Sequence, residues 1–513
     1  MAGDTARRFA RNSAFGTIAG IGTALASFLT SVLTAHLLGV TDTGVFAYAA
    51  WVATVTGAVA DLGAQATLAR YLPELLGAGT SDEADAVIAF LFRPVAAACA
   101  AVVASFSIYA AWRIGSGDIG EVLWIFVGVF SALQTMSGLA YGCLRGMQRF
   151  ERVATLTVVS LSLQLVGVAV GAKTFGVTGA LAGACAGSVL PAIVACGLVR
   201  RSPPFRPALK SRVRWYAVCA WGAGLASAVV WSRIEIFFLQ RAGGSEAVGL
   251  FSVGLTLANL ATQGPLLLTA GLLPYFAEAF GRGAPSDIRA AYATSCRVLA
   301  LLVLPACLGM AAIMPEALPL VFGNAFRDAI PAASVLVAAG GICAAMSAGT
   351  YLVYAMDRSD FVFASGAVGA VLSIAAGLTV VPAYGLMGAA GSRAAIQLFA
   401  VALGCGFIVF RLRCPIPFAD LGRLLLAAAF CGIVARLVTI VLPHSLALTG
   451  GIAAGVIAYM AAVRVLQPLP PADVGRLRAL LRNLPAAPPR VLELALSLVF
   501  GAPRRGLEPA DAD

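Results

Sequence analysis

Long apolar segments recur along almost the whole chain and constrain its fold more than any other feature. Each holds about 20 mainly apolar residues, the length of helix that crosses the hydrocarbon layer of a bilayer. We predict fourteen such segments, at residues 14–38, 43–63, 88–112, 120–143, 153–172, 176–199, 215–239, 247–273, 290–312, 329–355, 360–381, 384–410, 418–441 and 445–465. Hydrophobic residues make up 60% of the chain and charged residues 12%, which is more apolar surface than a soluble core buries. The sequence therefore predicts an all-α integral membrane protein.

Basic residues lie in alternate connections between these segments. With the N-terminus placed in the cytoplasm, 28 of the 35 Lys and Arg residues fall on the cytoplasmic side. Membrane proteins keep their positive charge on that side, and a miscounted helix would scramble the alternation. We therefore predict a multi-pass protein of the bacterial cytoplasmic (inner) membrane with both termini in the cytoplasm. The net charge of +11 then needs no nucleic-acid partner.

Side chains that commonly carry catalysis or hold cofactors are scarce. The chain holds two His residues, its 11 Cys residues form no CxxC pair, and it has no GxxxxGK[ST] motif. We therefore predict no metal site, no cofactor and no direct use of ATP. A membrane glycosyltransferase or ligase should carry acidic motifs or large outside loops, whereas the predicted outside loops are short and nearly uncharged. The sequence favours a protein that is not an enzyme.

The chain also repeats itself. Three motifs occur twice, in the same order and at the same place in each half, at offsets of 205, 209 and 209 residues. The pairs are Gly44-Val-Phe-Ala and Gly249-Leu-Phe-Ser, Met147-Gln-Arg and Met356-Asp-Arg, and Phe175-Gly-Val-Thr-Gly-Ala and Tyr384-Gly-Leu-Met-Gly-Ala. Because six helices separate equivalent points, the halves are predicted to be parallel six-helix repeats. The predicted domains are an N-terminal lobe (1–205), a C-terminal lobe (206–414), two further helices (415–466) and a basic cytoplasmic tail (467–513).

Several motifs resemble those of Wzx-type polysaccharide flippases, within the superfamily of multidrug, oligosaccharidyl-lipid and polysaccharide exporters. The resemblance covers about residues 10–465 and rests on loose glycine and basic patterns. They include Ala35-His-Leu-Leu-Gly, Gly44-Val-Phe-Ala, Asp61-Leu-Gly, Arg70-Tyr-Leu-Pro-Glu, Leu144-Arg-Gly-Met-Gln-Arg-Phe and Ser232-Arg-Ile-Glu-Ile-Phe-Phe-Leu. The chain departs from the family pattern at Arg233-Ile-Glu235, where many members carry a sequence that resembles R-x-D.

This resemblance implies a two-lobed, V-shaped transporter that works by alternating access. Family members move undecaprenyl-pyrophosphate-linked sugar repeat units from the inner to the outer leaflet, for lipopolysaccharide or exopolysaccharide synthesis. Related proteins move lipid II or other precursors, or export cationic drugs with sodium or proton entry. The implied partners are membrane lipid and the lipid-linked sugar. A polysaccharide polymerase is a further implied partner, and whether one binds this chain stays open.

Ionisable side chains inside predicted spans are candidate site residues, because charge in hydrocarbon is costly. Arg233 and Glu235 lie two residues apart on one helix, so they cannot pair with each other. Arg233 is predicted to bind a pyrophosphate and Glu235 to serve coupling, with a structural ion pair between helices as the alternative. Arg393 and Gln397 share a helix face and are predicted to bind substrate, with pairing of Arg393 to Glu235 as the alternative. Arg436 is expected to reach outward to the membrane surface.

Polar residues four positions apart form two further stripes. Asp61 and Gln65 are predicted to serve coupling or gating and Asn259 and Gln263 to bind substrate, unless these pairs only hold helices together. Sugar contacts are predicted from Gln134, Trp51 and Trp231. The cytoplasmic loops carry arginines that would capture phosphate groups or close an inner gate, or that set topology alone: Arg145, Arg149, Arg152 and Arg358.

The sign of the deep charges separates the functions that remain. A cation-coupled multidrug exporter of the same fold would favour buried carboxylates, whereas the deep groups here lean toward Arg and favour an anionic substrate. We therefore expect a transporter that flips a polyprenyl-pyrophosphate-linked oligosaccharide. The multidrug exporter and a lipid II-type precursor flippase are the alternatives.

Overall fold

The computed structural model describes residues 2–113, 121–199, 206–231, 233–266, 269, 272–471 and 473–475. Within these residues the chain is helical and contains no strand, because a segment surrounded by lipid must pair its backbone groups internally. The α-helices are α1 (Ala2–Ala60), α2 (Ala64–Gly77), α3 (Ser81–Arg113), α4 (Glu121–Gly146), α5 (Phe150–Leu198), α6 (Pro207–Trp231), α7 (Glu235–Leu266), α8 (Leu272–Gly281), α9 (Pro285–Ala312), α10 (Met314–Phe322), α11 (Ile330–Ala345), α12 (Ala348–Ala355), α13 (Ser359–Phe410), α14 (Phe418–Val441) and α15 (His444–Leu466). A 3₁₀ helix, Asn324–Ala329, precedes α11.

Glycines in the left-handed conformation divide four of the longest helices. The divisions lie in α1, α5, α7 and α13, at Gly39, Gly176, Gly244 and Gly385. Glycine adopts this conformation at little cost because it has no Cβ atom. Nine helices in the described part of the chain are long and apolar enough to cross a membrane. Three of the nine, in α1, α5 and α13, are divided by such a glycine and can supply two spans each. With α6 and α7 as two further spans, the structure is consistent with fourteen.

Positions that match in the predicted repeat share their backbone conformation. Gly39 and Gly244 have φ/ψ values of 78°/−175° and 69°/−169°. Gly176 and Gly385 have values of 60°/−138° and 52°/−129°. A third pair, with φ of 56° in both members, is formed by two residues that are not glycine, Gln148 and Asp357. Non-glycine residues rarely adopt positive φ, so its recurrence at the predicted offset supports an internal duplication.

The chain folds into two compact units, each built from several separate segments. The first comprises Met1–Leu260, Val321–Ala332 and Gly366–Arg393, and the second comprises Ala261–Leu320, Ala333–Ser365 and Ala394–Asp513. Buried cores in the first unit centre on Leu68, Leu139 and Leu181, and those in the second on Tyr292 and Leu424. The lobe boundaries predicted from the repeat remain a prediction.

A half-buried arginine, Arg297, links three segments of the second unit. The Arg297 guanidinium lies 2.7 Å from a carboxylate oxygen of Asp420 and 2.7 Å from one of Asp473. The Thr294 hydroxyl donates to the other oxygen of Asp473 at 2.7 Å. These contacts tie α9, α14 and the segment after α15 together. Residues 476–513 of the predicted basic tail lie outside the described residues.

The sequence predicts that Arg436 on α14 reaches outward to the membrane surface, and the structure gives its guanidinium an acidic partner. Its Nη1 atom lies 2.7 Å from a carboxylate oxygen of Glu316 on α10. An ion pair between helices satisfies both charges where the membrane supplies no counter-ion.

Small residues bring the two halves of α5 into close contact. The halves, on either side of Gly176, fold back on each other as a hairpin in which Gly167 faces Gly183 and Gly171 faces Gly179. A Cβ atom added to any of these four residues would overlap the backbone of the facing residue. Helices in lipid use small residues in this way because close van der Waals packing drives their association.

Replacing Gly183 by alanine should therefore destabilise the protein, by about 1–3 kcal/mol for an overpacked contact. Gly197→Ala is a matched control on the same helix, because nothing lies within 4 Å of the added atom. Thermal unfolding in detergent should show a lower Tm for Gly183→Ala and an unchanged or higher Tm for Gly197→Ala. Equal Tm values for the two variants would contradict the close packing.

Candidate functional site

A polar cavity of about 420 Å³ lies inside the first unit. Two of its lining residues, Gln134 and Gln164, carry amides, and Arg233 is the one charged residue among the described residues that line it. The aromatic ring of Trp51 also lines the cavity. Nine further lining residues carry hydroxyl groups: Thr23, Ser27, Thr30, Ser31, Thr34, Thr43, Thr54, Ser252 and Thr256. This space, which we call the hydroxyl cavity, offers many hydrogen-bond donors and acceptors and one positive charge.

One face of α1 supplies five of these hydroxyl groups. Residues 23, 27, 30, 31 and 34 follow the spacing of three and four that places side chains on one side of a helix. They are not among the site residues predicted from the sequence, although a search for hydroxyl groups at helical spacing finds them. The prediction considered amides and charges and passed over Ser and Thr, which also occur in spanning helices for packing alone.

Two of the hydroxyl groups could accept or donate a further hydrogen bond. The hydroxyl oxygens of Thr30 and Thr43 are buried and have no hydrogen-bond partner among the described residues. A buried polar atom without a partner carries a free-energy cost. A ligand with its own hydroxyl groups would remove that cost.

Arg233 reaches the cavity from a break between two helices. α6 ends at Trp231 and α7 begins at Glu235. Arg233 itself has a φ of 64°, a left-handed conformation that costs a residue with a Cβ atom roughly 1–2 kcal/mol. Its guanidinium forms no ion pair within the described part of the chain, although its charge interacts over a longer range with Glu235 and Arg393. The cavity therefore contains a cation without a bonded anion among the described residues.

Arg393 and Glu235 form a buried ion pair in the same unit. Nη1 of Arg393 lies 3.0 Å from Oε2 of Glu235, and their side chains are 15% and 7% exposed. This is the alternative arrangement considered from the sequence. The pair accounts for the charge of Arg393 without a substrate, which leaves Arg233 as the cation available to an anionic ligand.

A smaller cavity of about 240 Å³ continues from the same region and is called the inner cavity. Gln134 and Thr54 line both cavities. Asp61 and Gln65 line only the inner one, and the Gln65 backbone N–H donates to a carboxylate oxygen of Asp61 at 3.4 Å. The structure thus joins Gln134, Asp61 and Gln65, predicted from different helices, in connected polar surroundings.

Other predicted site residues lie elsewhere. Asn259 and Gln263 are exposed side chains of α7 and Gln397 is half-buried in α13, and none of the three lines the hydroxyl cavity or the inner cavity. The side chain of Trp231 lies outside the described residues. Arginines at the predicted cytoplasmic turns are exposed at Arg145, Arg149 and Arg152. Arg358 lies 3.3 Å from Asp360 and above the ring of Phe407.

Residues 33–331 match a family model described as "Polysaccharide biosynthesis protein". This match spans more than half of the chain. The chain belongs to the polysaccharide biosynthesis protein family. A search of curated proteins finds no match to it.

Solved structures with the same fold are membrane transporters. The lipid II flippase MurJ, in an inward closed conformation, is 14% identical with a TM-score of 0.65, and the match covers 88% of this chain and 98% of MurJ. An inward-facing multidrug resistance MATE transporter of the MOP superfamily is 16% identical with a TM-score of 0.59, covering 76% and 94% of the two chains. A MOP superfamily transporter from Pyrococcus furiosus is 17% identical with a TM-score of 0.55, covering 81% and 96%.

These likenesses confirm the all-helical transporter fold and the resemblance to the exporter superfamily. At such low identity the structures show the fold alone. This polysaccharide biosynthesis protein thus shares its fold with structures of a flippase and of multidrug transporters. The protein is a multi-pass membrane protein.

The ion pair between Glu235 and Arg393 should be structural. Changing either residue alone to Met leaves a buried charge without its partner, at a cost of about 3–5 kcal/mol. Changing both to Met removes the two charges together and should restore most of the lost stability. Tm values of the two single variants and the double variant in detergent form a double-mutant cycle. Additive losses would show that the pair does not stabilise the fold.

Proposed function

We propose that this protein flips a polyprenyl-pyrophosphate-linked oligosaccharide from the inner to the outer leaflet of the cytoplasmic membrane by alternating access. The observation that carries the proposal is the hydroxyl cavity with Arg233, the one charged residue among its described lining residues and one that forms no ion pair with them. Membership of the polysaccharide biosynthesis family supports a substrate used in polysaccharide assembly. The substrate would supply polar sugar groups and a pyrophosphate to one transport cavity.

Each part of the cavity suits one part of that substrate. Sugar hydroxyl groups both donate and accept hydrogen bonds, as do the Thr and Ser hydroxyls and the amide of Gln134. Trp51 offers an apolar face against which a sugar ring can pack. The planar guanidinium of Arg233 binds phosphate oxygens through two parallel hydrogen bonds. The arrangement holds a neutral sugar and an anion together.

The charges of this unit weigh against a cationic drug as substrate. Glu235 is neutralised by Arg393, and the hydroxyl cavity itself presents a positive charge. Asp61 in the inner cavity is the one observation that favours a cation-coupled exporter. We assign Asp61 and Gln65 to coupling or gating, with Glu235 as a second coupling candidate. A lipid II-type precursor also carries a pyrophosphate and sugars. Transport assays with both substrates must therefore distinguish it from the proposed oligosaccharide substrate.

The remaining predictions extend this proposal. Arg145, Arg149 and Arg358 at the predicted cytoplasmic turns would attract phosphate groups or close the inner side. Four residues that line neither cavity stay proposed substrate contacts: Arg393, Gln397, Asn259 and Gln263. A polysaccharide polymerase would receive the flipped product, and both termini would lie in the cytoplasm.

Replacing Arg233 by alanine should strongly reduce transport at substrate concentrations below saturation. Loss of a charged hydrogen bond to phosphate costs about 1.5–3 kcal/mol, which corresponds to roughly ten- to a hundredfold in binding. Arg233→Lys keeps the charge but not the planar fork and should retain partial activity. The measurement is flipping of a polyprenyl-pyrophosphate oligosaccharide, and separately of lipid II, in reconstituted vesicles.

Arg241→Ala is the matched control for Arg233. It is an exposed arginine of the neighbouring helix α7 that stacks on Phe237, with its guanidinium carbon 4.9 Å from the ring centroid. Its loss should leave transport unchanged. Full transport by Arg233→Ala would refute the role assigned to Arg233. If the wild-type protein transports lipid II and not the oligosaccharide, the substrate is lipid II.

Thr30→Val and Thr43→Val test the sugar contact. Each change keeps the shape of the side chain and removes a hydroxyl that has no partner within the described protein, so stability should be unchanged or higher. Transport should fall because a hydrogen bond to the substrate is lost. The control Thr67→Val removes a hydroxyl that donates to the Gly63 carbonyl at 2.7 Å and should lower the Tm without a specific loss of transport.

The Thr variants are read from initial flipping rates at several substrate concentrations, together with Tm. A reduced rate only at low substrate concentration indicates weakened binding. Unchanged rates in both variants would exclude these two hydroxyls from the substrate site.

A further inference from the structure

A second, larger opening of about 630 Å³ lies between α3 and α6 in the first unit. Arg93 of α3 lines one wall, and Lys210 and Arg214 of α6 line the other. Lys210 and Arg214 are four residues apart, so their side chains project from one face of α6. We call this opening the basic fissure. It lies at the predicted cytoplasmic end of the unit and is separate from the hydroxyl cavity.

The three cations of the basic fissure have no carboxylate partner in the described part of the chain. Two acids near this end of the unit are paired with other arginines. Glu83 lies 2.6 Å from Arg206, and Glu74 lies 3.1 Å from Arg212 and 2.8 Å from Arg70. No acidic residue appears among the described residues that line the fissure. The positive-inside rule explains basic residues on this side of the membrane, but not their convergence on one opening without acids.

The remainder of the fissure is apolar. Leu62, Phe90, Pro94 and Val218 line it, and the Lys210 ammonium lies 5.5 Å from the centroid of the Phe90 ring. An apolar wall beside a group of cations fits a molecule with a charged head and a hydrocarbon chain. A free anion such as inorganic phosphate would make no use of that wall.

The charge of the fissure favours a pyrophosphate head over that of an ordinary phospholipid. Three cations exceed what a phosphodiester with one negative charge neutralises. A pyrophosphate diester carries two negative charges and several acceptor oxygens, which match arginine and lysine donors. The charge balance therefore favours a polyprenyl pyrophosphate.

Trp221 connects the basic fissure to the transport cavities. This α6 residue lines both the fissure and the inner cavity, and its indole N–H donates to the Val59 carbonyl at 3.0 Å. Gln134 and Thr54 in turn line both the inner cavity and the hydroxyl cavity. A ligand head in the fissure is thus one side chain away from the polar interior.

We propose that the basic fissure is the site where the pyrophosphate head of the lipid-linked substrate docks from the inner leaflet before it enters the cavities. This proposal rests on the proposed function for the identity of the substrate. Arg93, Lys210 and Arg214 bind the pyrophosphate, and the apolar wall contacts the start of the polyprenyl chain. Arg233 acts later, inside the hydroxyl cavity.

Binding of sugar-free polyprenyl pyrophosphate to the purified full chain tests the site. The variant R93Q/K210Q/R214Q removes the fissure charges, and R70Q/R206Q/R212Q removes the same number of charges that are paired with carboxylates. Native mass spectrometry of protein in detergent gives the affinities, with phosphatidylglycerol as the comparison lipid. We expect the fissure variant to bind polyprenyl pyrophosphate at least about tenfold more weakly, and the control variant to bind it like the wild type.

The outcomes separate the possibilities. Unchanged binding by the fissure variant would overturn the proposal, as would an equal loss of phosphatidylglycerol, which would indicate a general site for anionic lipid. If the triple variant does not fold, the single variants R93Q, K210Q and R214Q are compared, and each should weaken binding. Wild-type protein that binds polyprenyl pyrophosphate through the fissure but does not flip the oligosaccharide would refute the proposed function and leave the docking site standing.

Discussion

The hydrocarbon layer of a membrane offers no hydrogen-bond partner and no counter-ion. The fold must therefore pair its backbone groups and its charged side chains within the protein. The backbone pairs its N–H and C=O groups by forming helices. Glycines divide the longest helices and let the chain change direction with little unpaired backbone. Charged side chains within the helices form ion pairs, the buried Glu235 with Arg393 and the partly exposed Arg436 with Glu316. Arg233 differs from these pairs, because it lines a cavity and has no bonded carboxylate in the part of the chain that the structure describes.

The internal duplication has diverged where the cavity forms. With the offset of 205 residues, the hydroxyl-bearing part of α1 corresponds to residues 228–239 in the second half. The first copy is an unbroken helix that presents hydroxyl groups, whereas the second is broken around Arg233. Both line the hydroxyl cavity. The two predicted copies thus contribute differently to the cavity, the first with neutral hydroxyl groups and the second with the cation Arg233.

The openings of the first unit form a graded series. The basic fissure combines cations with an apolar wall, the inner cavity carries Asp61 and amides, and the hydroxyl cavity carries hydroxyls with one arginine. Trp221 stands between the first two, and Gln134 is shared by the last two. Such an order suits a long ligand whose polarity changes from one end to the other.

Reading the chain alone was enough to predict the helical membrane fold, the fourteen spans and the internal repeat, because apolar length, loop charge and glycine position are local properties. It also marked Arg233, Gln134 and Asp61, since polar groups in apolar segments stand out without a structure. The packing of the helices was needed to show that Glu235 neutralises Arg393 and that the α1 hydroxyls share a cavity with Arg233. It was needed again to bring the cations of the basic fissure to one opening. Those relations depend on which helix faces pack together, and residues far apart in the chain meet there through contacts that no local pattern records.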